Sequence, residues 1–124
     1  FLMEPSILKG TKKMLGVSDI YTAFDTDIII QINSVFSVLQ QLGIGPVAGF
    51  FIEDSSEEWE DYIGEDQGLN MIRTYLYLKV RMLFDPPTTS YMIKAMEKQI
   101  EEHEWRISTH REWQINPVDP TLPI

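Results

Sequence analysis

The chain has 124 residues, enough for one domain with a real core, and its 44% hydrophobic and 23% charged residues are those of an ordinary globular chain. It has no cysteine, which excludes disulfides, thiolate metal sites and a cysteine nucleophile. The formal net charge of −9 opposes tight non-specific binding to nucleic acid, which needs Lys and Arg against phosphate.

The charge is unevenly spread. Residues 53–66 hold Glu53, Asp54, Glu57, Glu58, Glu60, Asp61, Glu65 and Asp66 and no base, whereas 1–15 and 67–84 are net positive. The aliphatic run Ile28-Ile29-Ile30 is far too short to span a bilayer. The opening Phe-Leu-Met-Glu-Pro has neither the basic start nor the apolar core of a signal peptide, so no membrane or export address is expected.

In chain order, Ser6–Leu15 reads as a short helix. Ser6 caps it, Ile7, Leu8, Met14 and Leu15 share a side, and Gly16 sits at the C-terminal glycine position. Lys9, Lys12 and Lys13 make it a basic end. A second helix starts at Asp25 or Thr26 as cap, with Phe24 stapling onto Ile29, and Gly43 ends it. Its core face is Ile28, Ile29, Ile32, Val35, Phe36, Leu39 and Leu42. Its reverse face, Ile30, Ser34, Ser37, Val38 and Gln41, carries no charge, which suits either an ordinary polar surface or close contact with a second subunit. Gly43–Gly49 is a loop, and Phe50–Ile52 an apolar patch or short strand. Ser55-Ser56-Glu57-Glu58 reads as the start of a short helix through Tyr62, with Trp59 and Ile63 inward.

Leu69–Phe84 is the element the others pack around. Leu69, Ile72, Leu76, Val80 and Leu83 form one apolar stripe and Met71, Tyr75, Leu78 and Met82 another, leaving only Asn70, Thr74, Tyr77 and Arg81 as a polar strip. Lys79 points into the apolar arc, either snorkelling to solvent or meeting a carboxylate across an interface. The helix must stop near Phe84, because Pro86-Pro87 cannot continue it. A last helix runs from about Thr89 to about Trp113, roughly 36 Å. Its core stripe is Met92, Ile93, Met96, Ile100, His103 and Ile107. Lys98–Glu102 and Glu102–Arg106 pairs sit on its solvent side, and Trp105 lies nearly opposite the core. That tryptophan is a candidate interface anchor. Residues 115–124, with three prolines and with Val118, Leu122 and Ile124, form an extended arm suited to a partner's groove. The expected fold is all-α: a single domain of four to five helices over residues 1–114 around a central helix at about 69–84, followed by the 115–124 arm.

No residue set assembles an active site. Ser6-Ile7-Leu8-Lys9 is an isolated serine-x-x-lysine without its companion motifs. Gly43, Gly45 and Gly49 lack the spacing and the preceding strand of a dinucleotide loop. His103 and His110 lack the carboxylate three residues earlier that di-metal helical bundles use. The acidic run lacks the spacing of a calcium loop. No catalytic, metal or cofactor site is expected.

The order of features is itself distinctive. A basic helix leads to YTAFDTDIIIQINSVFSVLQQLGIGP, then an acidic segment with Trp59, then TYLYLKVRMLFDPP, then MEKQIEEHEWRI. Over roughly residues 6–113 this resembles the head–tail connector (adaptor) proteins of long-tailed bacteriophages, in particular those of phages of Gram-positive bacteria. The resemblance implies an all-helical structural virion protein of the neck, assembled in the host cytoplasm. It implies a ring, usually a dodecamer, beneath the portal protein, which extends the DNA channel and gives a head-completion (stopper) or tail-terminator protein its docking surface. DNA would pass through the lumen without specific binding. Carried to this chain, the interface candidates are Ile30, Ser34, Ser37, Val38, Gln41, Lys79, Trp105, Trp113, Val118, Leu122 and Ile124, and the lumen-facing candidates are Glu57, Glu58, Glu60 and Asp61. Two other readings stand beside this one. The first is a small acidic helical regulator binding a single phage or host partner, which stoichiometry would separate. The second is a helical metal-dependent hydrolase, which would need stoichiometric metal.

Overall fold

A computed structural model describes residues 5–63 and 69–115. The fold is all-α, with α1 at Ile7–Leu15, α2 at Asp25–Gln41, α3 at Trp59–Ile63, α4 at Leu69–Phe84 and α5 at Ser90–Ile115. The central helix has the expected bounds. It stops at Phe84 before Asp85-Pro86-Pro87, and the Asp85 amide still reaches the Arg81 carbonyl at 2.8 Å. α4 packs against α2 on one flank and α5 on another, and α1 lies across α2 and α4. α2 and α5 share no comparable packing, so each keeps an outer face turned away from the core.

The core joins Ile7 and Leu8 of α1, Ile28, Ile32, Val35, Phe36 and Leu39 of α2, Ile72, Tyr75, Leu76 and Val80 of α4, and Ile100 and Ile107 of α5. Around Phe36 the rings of Phe50, Trp59 and Tyr62 meet edge-on or tilted, with centroids 4.7–6.1 Å apart. Tyr77 meets the buried Trp59 edge-on, and the Arg73 guanidinium lies 5.3 Å from the Trp59 ring centroid. Such contacts add to area burial when rings meet edge to face.

The caps of α1 form as the sequence indicates: Ser6 Oγ accepts from the Lys9 amide, and Gly16 takes φ +78°. Ser6 also donates to the Ser55 carbonyl, and the backbone of residues 5–7 is clipped to 57–59 by Ile7 N–H to Glu57 O and Trp59 N–H to Pro5 O. This clip ties the acidic segment to α1.

Several expectations need correction. Met14, Leu83 and Met92 are more than half exposed instead of lying in the core, since each stands at the edge of its stripe. Neither Asp25 nor Thr26 caps α2. Phe24 occupies the cap position without a side-chain bond, because the Asp25 carboxylate is turned toward Lys12. Phe24 packs its ring edge-on to Phe84 and Tyr21. The short helix begins at Trp59 and not at Ser55, because Asp54 and Glu57 fold the preceding residues into a turn: Asp54 takes the Ser56 amide and hydroxyl, and Glu57 takes the amides of Glu53 and Asp54. Phe50–Ile52 forms no strand; the Ile52 backbone instead bonds both ways with the Asn33 side chain. On α5, Glu102 pairs with Arg106 at 2.6 Å and makes no ion pair with Lys98. α5 also runs on through Ile115, the first residue of the expected extended arm, because the first proline of that stretch, Pro117, comes two residues later.

Candidate functional site

The functional surface is built from what the packing leaves uncovered. Ile28, Ile32, Val35, Phe36 and Leu39 are drawn to one side of α2 by burial against α4, which turns Ile30, Ser34, Ser37 and Gln41 outward, where all four are exposed. Val38 is half-buried at the edge of this face. The hydroxyls of Ser34 and Ser37 return to the carbonyls of Ile30 and Asn33 one turn back, so the surface they present is small and uncharged.

At the N-terminal end of α2 the face opens into a groove of about 600 Å³, lined by Phe24, Ile30, Leu83 and Phe84 and edged by Asp27 and Asp85. The rim is held by a contact that no local pattern announces. Lys12, only 2% exposed, pairs with Asp25 at 2.8 Å and donates to the carbonyls of Asp19 and Tyr21. One buried ammonium thus gathers the α1–α2 connector, in which Ile20 is 91% exposed. Of the three lysines that make α1 a basic end, Lys12 is thus buried, and its three bonds compensate the cost of burying the charge.

On α5, burial of Ile100 and Ile107 turns Trp105 outward at 69% exposure, as its spacing predicts. Lys79 meets a carboxylate within its own chain, Glu104 of α5, at 3.6 Å. Glu104 also accepts from the Tyr75 hydroxyl at 2.8 Å, which joins α4 to α5. Burial pushes the Tyr75 hydroxyl up from its ordinary pKa, and the hydrogen bond and charge of Glu104 push the same way. His103 is half-buried, and its Nδ1 lies 2.8 Å from the Gln99 carbonyl, a local helical bond.

Of the acidic candidates, Glu58 and Glu60 are exposed and their carboxylates meet no partner among the described residues, while Glu57 and Asp61 hold backbone amides of their own segment. The side chain of Trp113, and Val118, Leu122 and Ile124 of the arm, lie outside the described residues, as do Glu65, Asp66 and the side chains of Ile63, Leu69 and His110. Among the described residues no group of three His, Asp or Glu side chains is placed to hold a metal ion, and no helix is long and apolar enough to cross a membrane.

Sequence reasoning found the outer faces of α2 and α5, because a helical period places them. It missed the Lys12–Asp25 pair, the Tyr75–Glu104–Lys79 junction and the groove, each of which joins residues from different elements.

The described residues form a small all-α fold in which α2 and α5 each leave one face uncovered. The family model described as phage connector protein matches residues 7–114, and the chain belongs to that family. Membership makes it a structural bacteriophage protein of the head–tail junction, one that contacts other head or tail proteins. No match was found among curated proteins or solved structures.

Proposed function

We propose that the protein is the adaptor that forms a ring, a dodecamer by the family pattern, beneath the portal protein. The ring extends the DNA channel and offers the docking surface for a head-completion or tail-terminator protein. The observation that carries this is the family match over nearly the whole helical domain. It is supported by a subunit with two uncovered helix faces on different flanks of one core, the geometry a ring subunit needs, since each copy must meet two neighbours.

In this reading the α2 face and Trp105 contact neighbouring copies, and the arm that follows Ile115, together with Trp113, reaches the portal. Exposed acids of the 57–61 segment line the channel, where like charge keeps DNA from adhering. Assembly takes place in the host cytoplasm before the tail joins. Lys79 drops to a supporting part, because its ammonium already faces Glu104.

The test is co-sedimentation of the full chain with the portal protein of the same phage. Co-migration at near one-to-one subunit stoichiometry, lost on deleting residues 116–124, supports both the role and the arm. Co-migration that survives the deletion keeps the role and removes the arm. Glu58→Lys/Glu60→Lys particles that still eject DNA normally would remove the channel-lining assignment.

A further inference from the structure

Two sets of uncommitted charges border the uncovered faces of α5 and α2. On α5, Tyr91, Lys94, Lys98 and Trp105 fall within a sector of about 60° on the side away from the core, at about 100° per residue. Tyr91 is 83% exposed, and among the described residues neither lysine joins an ion pair. On α2 the opposing features appear. The helix contains no Lys or Arg, and the charges at its groove are Asp27 and Asp85, which are exposed and likewise in no ion pair among the described residues. The two surfaces match in length, because residues 91–105 and 27–41 each span about 21 Å of helix. They also match in relief: bulky aromatics stand on one, and a groove and two serines on the other.

We infer that the occupant of the α2 groove and outer face is α5 of a second copy of this chain. Lys94 and Lys98 then lie against Asp27 and Asp85, and Trp105 lies over Ser34 and Ser37. The inference rests on the connector reading and adds to it which surface meets which. Because α2 and α5 occupy different flanks of α4, the contact is head-to-tail: each copy gives its α5 stripe to one neighbour and its α2 face to the other. Contacts of this kind close into rings when the rotation allows, whereas a contact of one patch with itself stops at a dimer. Charge complementarity fixes the partner and the register, and the uncharged serine face lets the indole approach without stranding a charge.

All four charged residues and Ser34 are exposed, so substitutions there leave folding intact, which circular dichroism checks. The experiment follows ring formation of the full chain by sedimentation and electron microscopy, alone and with the portal protein of the same phage. The Lys94→Glu/Lys98→Glu chain is expected to lose rings, as is Asp27→Lys/Asp85→Lys. The chain carrying all four changes is expected to regain them, because every interface then pairs opposite charges again. The absence of cysteine gives a second readout. In assemblies of the Ser34→Cys/Trp105→Cys chain, oxidation is expected to produce a ladder of linked subunits, whereas either single variant gives no ladder. Wild-type rings that persist with Lys94→Glu/Lys98→Glu, with no ladder from the double cysteine chain, would overturn the inference and leave the connector reading standing. Wild-type chain that forms no ring in either condition would overturn both.

Discussion

Lys12 carries more structure than its neighbours in the sequence suggest. It is buried against Asp25 and two connector carbonyls, while Lys13, next along the chain, is exposed. Removing one member of a buried pair leaves the other uncompensated, but the Asp25 side chain keeps 27% exposure, which softens the cost. Lys12→Met is expected to lose about 2 kcal/mol in chemical denaturation, and Lys13→Met less than about 0.5 kcal/mol. The tyrosines give a pH signature. Burial raises Tyr62, and burial with Glu104 raises Tyr75, above the ordinary 10.0. The folded state then keeps protons that the unfolded chain releases, so this stability is fully present below about pH 10 and is lost as pH climbs above it. A stability profile is expected to fall there, and to fall less steeply in Tyr75→Phe and Tyr62→Phe. Tyr75→Phe also costs about 1 kcal/mol near neutrality through the lost bond to Glu104. None of these pairings is legible in the sequence, because Lys12 meets Asp25 only after the chain has turned, and Tyr75 meets Glu104 only after α4 and α5 have docked.

At the scale of elements, much could be read in advance where a local rule acts without competition. Pro86-Pro87 fix the end of α4, Ser6 and Gly16 bound α1, and the helical period places Ile32, Phe36 and Leu39 inward. Reading fails where two local rules compete. Ser55-Ser56-Glu57-Glu58 has the composition of a helix start, yet Asp54 and Glu57 satisfy nearby amides as a turn and delay the helix to Trp59. It fails again at stripe edges, where Met14, Leu83 and Met92 have the right period yet stay more than half exposed. The loop before α3 is set by contact as well as by local preference. Gly45 has φ +89°, and a Cβ there would lie 2.6 Å from the Tyr62 ring, whereas Gly16 at φ +78° has open space around it. Gly16→Ala is therefore expected to cost about 1 kcal/mol through backbone strain alone. Gly45→Ala is expected to cost more, with thermal unfolding as the measure and a changed near-ultraviolet signal from the displaced Tyr62.

For the whole molecule, the fold explains why stability and function separate. The core uses one side each of α2 and α5 and both flanks of α4, and the remaining sides carry exposed aromatic, aliphatic and small residues that folding does not require. Trp105→Ala is accordingly expected to leave the melting temperature of the isolated subunit within about 2 °C while weakening assembly, measured by the concentration dependence of sedimentation. A ring held partly by Lys94 and Lys98 against Asp27 and Asp85 is expected to loosen as salt rises. The connector role itself is tested most directly by sedimenting the full chain with the portal protein of the same phage. The expected result is a complex with one adaptor subunit per portal subunit. Protein that stays at the top of the gradient while the portal sediments alone, at concentrations well above those of assembly, would contradict it.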